Sequence, residues 1–374
     1  MTMTTDRIGV YVHVPYCVKK CSYCDFCSFP PDKAPDRHAY IDALLREMDL
    51  YRERDLTVDT VFLGGGTPSL LTPDELDRIL THIRDVFRVT PDAEITLEAN
   101  PGTVTRESMR RAISAGVNRI SLGLQSIHES EMKILGRIHN YDDFLAAYSM
   151  VREVGIDNVN VDLMYAIPSQ TVESLSETVD RVLSLSPEHI SLYSLILEED
   201  TPLYDERDTL EFPDEDAEIA MYSLVTDKLR GAGYTHYEIS NYARAGRESR
   251  HNLRYWRGDR YLGFGISAYS YFDGVRFGNT RDPNLYISGD GIAIDREQID
   301  LEREAYEYVM LGLRLGEGIS LTEYSTCFGA DFLENRRDCI DRLVTMGYAT
   351  LDGDRLKLTE RGFYVNNAIL TELI

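Results

Sequence analysis

The sequence predicts an α/β protein: a parallel sheet built from strand–helix repeats, followed by an α+β C-terminal domain with a winged-helix-like end. Three observations carry that expectation. Between Gly9 and Ser194 six short β-branched runs alternate with helical patterns or long loops. The alternation stops after Glu198 in a charged, proline-containing stretch, EEDTPLYDERDTLEFPDEDAE. The chain then closes on helix, helix and two short strands, MGYATLDGDRLKLTERG, turning at Asp352 and Gly353.

The six expected strands are GVYVHV, VDTVFL, AEITLEA, NRISLGL, NVNVDLM and HISLYSL. The first helix runs from Asp36 to Arg52, with Ile41, Leu44, Leu45 and Met48 on one face. The second opens with Thr72 as N-cap, Pro73 in its first turn and Glu75 as the acid of a capping box; Leu76, Ile79, Leu80 and Ile83 form its apolar face. A shorter helix from Thr105 to Ala115 ends at Gly116. Repeated strand and helix fit an open doubly wound sheet or an incomplete (β/α) barrel, and the pattern does not separate them; either collects function at the carboxyl ends of the strands. A helix from Asp216 to Ala232 then opens a second domain. The expected domains are 1–205, 206–310 and 311–374.

Composition removes several classes of function. With 374 residues and 43% apolar side chains, the chain can bury a sizeable core without disulfides. No signal-peptide pattern and no long apolar run is present, so a cytoplasmic protein without an integral membrane segment is expected. The net charge of -24 repels phosphate backbones, and nucleic acid is excluded as a main partner. The winged-helix outline does not change this, because from Ile319 onward nine acidic residues face six basic ones. That end reads as a packing module.

Four of the six cysteines fall in CVKKCSYCDFCSF, directly after the first strand. In a reducing compartment such clustering indicates metal or redox chemistry rather than disulfides. Zinc favours four ligands in two separated knuckles. Cys17, Cys21 and Cys24, spaced CxxxCxxC in one loop, instead suit a [4Fe-4S] cluster with one iron left free. Cys27 matches no ligand position, and Cys327 and Cys339 read as buried fillers.

The run YxHxPxCxxxCxYCDF resembles the signature of radical S-adenosylmethionine (SAM) proteins, in the branch of oxygen-independent coproporphyrinogen III oxidase and its relatives. The resemblance selects the incomplete (β/α)6 barrel. It implies that the free iron chelates SAM, and that an electron from the reduced cluster cleaves SAM to a 5'-deoxyadenosyl radical. It further implies SAM contacts from Tyr11, Tyr23 and Phe26 around the cluster loop, and from Gly65, Gly66 and Thr67 of GGGTPS. Glu98, Gln125, Arg137 and Asp162, in LEANPGT, SLGLQS, LGRIHN and NVDLMYAIPSQT, complete the implied pocket.

Within the branch, the oxidase carries CxxxCxxCxC, and Phe26 stands at the last of those cysteines. The oxidase also has a long segment ahead of its first strand, whereas Tyr11 comes early here. HNLRYW fits the HNxxYW motif of the HemW-type heme chaperones, which this chain resembles more closely. A lone histidine beside aromatic residues reads as a hydrogen-bonded core residue; the motif turns the reading toward His251 as a heme ligand, with Tyr255 and Trp256 as walls. The family's alanine-histidine segment after GFG is replaced by residues 266–270, which place Tyr269 there. The implied function is a cluster- and SAM-bearing heme carrier serving acceptor hemoproteins. A radical enzyme, either the oxidase or a methyltransferase, is the alternative. Lys19 and Lys20, basic on an acidic chain, offer a docking point for a flavodoxin-type electron donor.

Overall fold

A computed structural model describes residues 7–374. All six expected strands form: β1 (Arg7–Val14), β2 (Thr57–Gly65), β3 (Arg88–Ala99), β4 (Arg119–Gln125), β5 (Val159–Tyr165) and β6 (His189–Ser194). They pair in parallel and in sequence order, each with the next. A doubly wound sheet reverses its strand order at a switch point, so sequential order selects the incomplete barrel.

Period-two alternation assigns each strand two faces. On β1, Ile8, Val10, Val12 and Val14 join the apolar layer under the helices, with Leu44, Ile79 and Leu80. The alternate residues Gly9, Tyr11 and His13 point into the barrel. Helix Pro73–Val86 starts as expected: the Thr72 hydroxyl accepts from the Glu75 amide, and the Glu75 carboxylate accepts from the Thr72 amide at 2.8 Å. Such a cap contributes about 1 kcal/mol.

The region after Glu198 differs from expectation. Its strands do not build a separate sheet but extend the barrel sheet at both edges. Beyond β6 lie β8 (Asn241–Ala243) and, outermost, β7 (Thr235–Glu238). Beyond β1 lie β9 (Tyr261–Phe264), β10 (Tyr269–Phe272), β11 (Val275–Gly278) and β12 (Ile294–Gln298), giving one sheet of twelve strands. Short strands leave backbone groups unpaired unless they join a neighbour, and here the barrel edges supply those neighbours. Because the chain leaves the sheet at β8 and re-enters beside β1, residues 244–260 must pass from one edge of the barrel to the other, and they do so beneath it, against β2 and β3. Helix Arg250–Trp256, which carries HNLRYW, makes that crossing.

The C-terminal module contains helices Leu321–Phe328 and Arg337–Thr345 and a small sheet of β13 (Ile319–Ser320), β14 (Ala349–Asp352) and β15 (Arg355–Leu358). Gly353, with φ +56°, turns the last hairpin. Cys327 and Cys339 are only partly buried, so neither is a core filler. Among the described residues no helix is long and apolar enough to cross a membrane.

Candidate functional site

The cysteine loop is held in shape by the chain itself. Its ends are tied by the Cys17 amide on the Phe29 carbonyl at 3.0 Å and the Phe29 amide on the Pro15 carbonyl at 2.7 Å. Midway, the Ser22 amide donates to the Leu135 carbonyl at 3.0 Å, and the Leu203 amide donates to the Ser22 carbonyl at 2.9 Å. His13 fastens the far side. Its Nε2 donates to the Cys27 carbonyl at 2.8 Å, which leaves Nδ1 to accept from the Tyr11 hydroxyl at 3.0 Å. Burial lowers the His13 pKa to about 4, so the ring is neutral.

Two of the three expected ligand sulfurs face hydrogen-bond donors. The Thr67 hydroxyl lies 3.7 Å from Cys17 Sγ, and Arg137 Nη1 lies 3.5 Å from Cys21 Sγ. These donors are linked: Asn100 gives its amide N–H to Thr67 Oγ1 at 2.9 Å and accepts from Arg137 Nη2 at 2.8 Å. Hydrogen-bond donors beside cysteine sulfurs are the kind of surroundings that tune an iron–sulfur cluster. Three cysteines in one loop, two of them facing hydrogen-bond donors, are a donor set that would suit an iron–sulfur cluster.

The GGGT turn brings backbone against this loop. Gly65 has φ +109°, and a Cβ there would fall 2.6 Å from the His13 ring; a Cβ on Gly66 would fall 2.7 Å from the Tyr16 carbonyl oxygen. Around the strand ends stand the other expected residues. Glu98 accepts from the Gly65 amide at 3.2 Å. Burial and the nearby Asp162 carboxylate raise its pKa to about 8. Asp162 accepts from Asn160 Nδ2 at 2.6 Å and from the Ser121 hydroxyl at 3.3 Å, and burial raises its pKa too. Tyr23 is packed beside Arg137, Cys21 and Cys24.

Gln125 ends β4 with a left-handed backbone, φ +72°, and its buried Oε1 has no partner among the described residues. The buried Nε of Arg137 and Nε2 of His139 are likewise unpaired. Strained backbone and orphaned polar atoms at strand ends mark a place where a ligand supplies the missing partners.

His251 is enclosed by its neighbours. It is 1% exposed, at the opposite end of the barrel from the cysteines. Nδ1 lies 2.9 Å from the Thr60 hydroxyl and Nε2 lies 2.8 Å from the Tyr255 hydroxyl, so both nitrogens are occupied. Its ring stacks on Phe62 with centroids 5.3 Å apart. The amides of Arg250 and His251 both donate to the Glu94 carboxylate at 3.1 Å, which pins the helix start to β3. Burial and the Arg254 charge push the His251 pKa down to about 3. HNLRYW is thus a plug under the barrel, and only Tyr255 reaches upward from it into a cleft.

Residues 11–182 match the radical SAM superfamily, and residues 299–365 match the HemN C-terminal domain. The heme chaperone HemW of Lactococcus lactis is 33% identical over 98% of this chain and 97% of its own length. That of Mycobacterium tuberculosis is 35% identical over 100% and 96%, and that of Escherichia coli 34% identical over 97% of each chain. The chain belongs to the HemW family. The solved structure of coproporphyrinogen III oxidase (HemN) from Escherichia coli superposes with a TM-score of 0.85 at 21% identity, covering 99% of this chain and 91% of that one. It confirms the α/β architecture of a radical SAM barrel with a C-terminal module.

For a HemW-family chain the radical SAM domain implies a [4Fe-4S] cluster and SAM. Sequence reading missed the residues that organise their surroundings. Asn100 lay inside the quoted LEANPGT without a role, and it is the link between Thr67 and Arg137. Arg119, 2% exposed at the start of β4, is a buried positive charge acting on Glu98 and Asp162. A basic residue opening an otherwise apolar strand, RISLGL, was the signal available.

Proposed function

We propose that this chain is a heme chaperone: it binds heme and passes it to acceptor hemoproteins, while Cys17, Cys21 and Cys24 hold a [4Fe-4S] cluster that carries SAM. The observation that carries the reading is identity of 33–35% to curated heme chaperones along nearly the whole chain, beyond the radical SAM core. When bound, the cluster supplies an open iron site and an electron. The chain's own residues would do the rest. Gly65, Gly66 and Thr67 let backbone approach SAM, Glu98 and Asp162 face its cationic and hydroxyl groups, and Gln125 and Arg137 offer their unpaired atoms. Tyr11 and Tyr23 would contact the nucleoside side. Lys19, exposed in the cluster loop beside the half-buried Lys20, suits docking of an acidic, flavodoxin-type donor.

The test is an anaerobic titration of the cluster-reconstituted protein with hemin, run beside an assay for coproporphyrinogen III conversion. Saturable hemin binding without conversion is the expected result. Conversion without saturable hemin binding would overturn the chaperone in favour of a radical decarboxylase.

A further inference from the structure

The occupied nitrogens of His251 leave the heme seat unassigned, and a different part of the molecule has the chemistry for it. Between the cluster loop and the β9–β10 turn lies a cleft of about 300 Å3, with Tyr11 and His13 of β1 in its lining. Its walls include Phe26 and Tyr269, which are 66% and 53% exposed. Two large rings from distant segments, both open to water and both facing one cleft, signify a surface awaiting a flat apolar ligand. Tyr255 and Tyr261 stand at the back, packed edge to face with centroids 4.7 Å apart.

The cleft also has a cation. Arg281 lines it, with Nη2 on the Asp25 carbonyl at 2.9 Å and on the Asp25 carboxylate at 3.3 Å. Both side chains of that pair are more than half exposed, so the guanidinium remains available to an incoming carboxylate. A guanidinium beside two open aromatic rings suits planar ligands that bear carboxylates, which would exchange for the exposed Asp25 in the same lining.

The wall is preset rather than mobile in design. The Tyr40 hydroxyl donates to the His13 carbonyl at 2.8 Å and accepts from the Ile266 amide at 3.2 Å. The buried Glu47 carboxylate receives the Gly265 amide, the Asn279 amide and the Tyr286 hydroxyl at 2.6–3.0 Å. Tyr269 lies over Gly278, where a Cβ would come within 2.9 Å of its ring. Such fixing lowers the ordering cost of binding.

We propose that heme seats in this cleft, its macrocycle between Phe26 and Tyr269 and a propionate on Arg281, with HNLRYW contributing only the Tyr255 back wall. The proposal rests on the chaperone reading and adds the place. It is tested by Soret titration of the full-length, cluster-loaded protein with hemin and with hemin dimethyl ester, which lacks free carboxylates. Tyr269→Ala and Arg281→Glu should each weaken hemin by about tenfold or more. Arg281→Ala should leave the ester's affinity unchanged. Cluster absorbance and far-UV circular dichroism confirm that each variant is folded, which exposed positions favour. Hemin binding within twofold of wild type in both Tyr269→Ala and Arg281→Glu would overturn the seat, while leaving the chaperone intact. Absence of saturable hemin binding to the wild type would instead remove the chaperone reading itself.

Discussion

The two ends of the barrel hold similar kinds of side chain and use them in opposite ways. At the floor, His251 has partners on both nitrogens, Glu94 takes two helix amides, and His189 is bonded through Nδ1 to Asn160 and through Nε2 to Tyr237. At the mouth, Gln125, Arg137 and His139 each keep a buried polar atom unpaired, and Gln125 carries backbone strain. The floor is not wholly closed, since Arg119 Nε and Arg254 Nε also lack a partner among the described residues; what sets the mouth apart is that its unpaired atoms lie beside the cysteine loop, with Arg137 on Cys21 Sγ.

The largest contrast comes from removing one residue at each end. Cys21→Ala should abolish the cluster and SAM binding, seen as loss of the iron–sulfur absorbance. It should change the chemical stability of the cluster-free protein by less than about 1 kcal/mol, because the side chain is only partly buried. His251→Ala should do the reverse. It leaves the buried Thr60 hydroxyl and the partly buried Tyr255 hydroxyl without their partner and empties the stack on Phe62, at a cost of about 3 kcal/mol, while cluster content and hemin affinity stay near wild type. Denaturant titration beside hemin binding measures both. A His251→Ala protein of unchanged stability that no longer binds hemin would break the comparison.

The same contrast explains what was legible in the sequence. Strand runs such as VDTVFL and the Thr72 capping box are local patterns, and all appear as read. The cysteine spacing is local too. The surroundings of His251 are not: Thr60, Phe62 and Glu94 come from strands more than 150 residues away, and no neighbour in HNLRYW announces them. The Thr67–Asn100–Arg137 chain also joins three loops, each placed by the barrel. Strands β7 to β12 were missed because segments such as NYA are too short to show a period, and their edge partners decide their fate.

A middle-sized effect sharpens the account of the mouth. Glu98 has a pKa raised to about 8 in the free protein, so below pH 8 the carboxyl holds a proton. A cationic ligand beside it favours the ionised form, and binding then releases that proton. SAM affinity should therefore rise with pH, by at most about tenfold per unit below 8, and level off above. Calorimetric titrations from pH 6.5 to 8.5 give the slope, and Glu98→Gln isolates the carboxyl's share from that of the SAM amine by removing it. An identical slope in the variant would place Glu98 away from the cationic part of the ligand.

The smallest effect tests whether the donors at the mouth act on the cluster or merely hold the loop. Thr67→Val keeps the shape of the side chain, removes the hydroxyl that faces Cys17 Sγ, and deprives Asn100 Nδ2 of its acceptor. The stability cost should stay near 1 kcal/mol, the price of one unpaired donor at a partly open site. A hydrogen bond to a ligand sulfur stabilises the more negative, reduced cluster, so its loss should lower the midpoint potential. Redox titration followed by electron paramagnetic resonance reads that shift directly. A potential unchanged from wild type, with the stability loss present, would make Thr67 a loop fastener like His13 and shift the tuning role to Arg137 at Cys21.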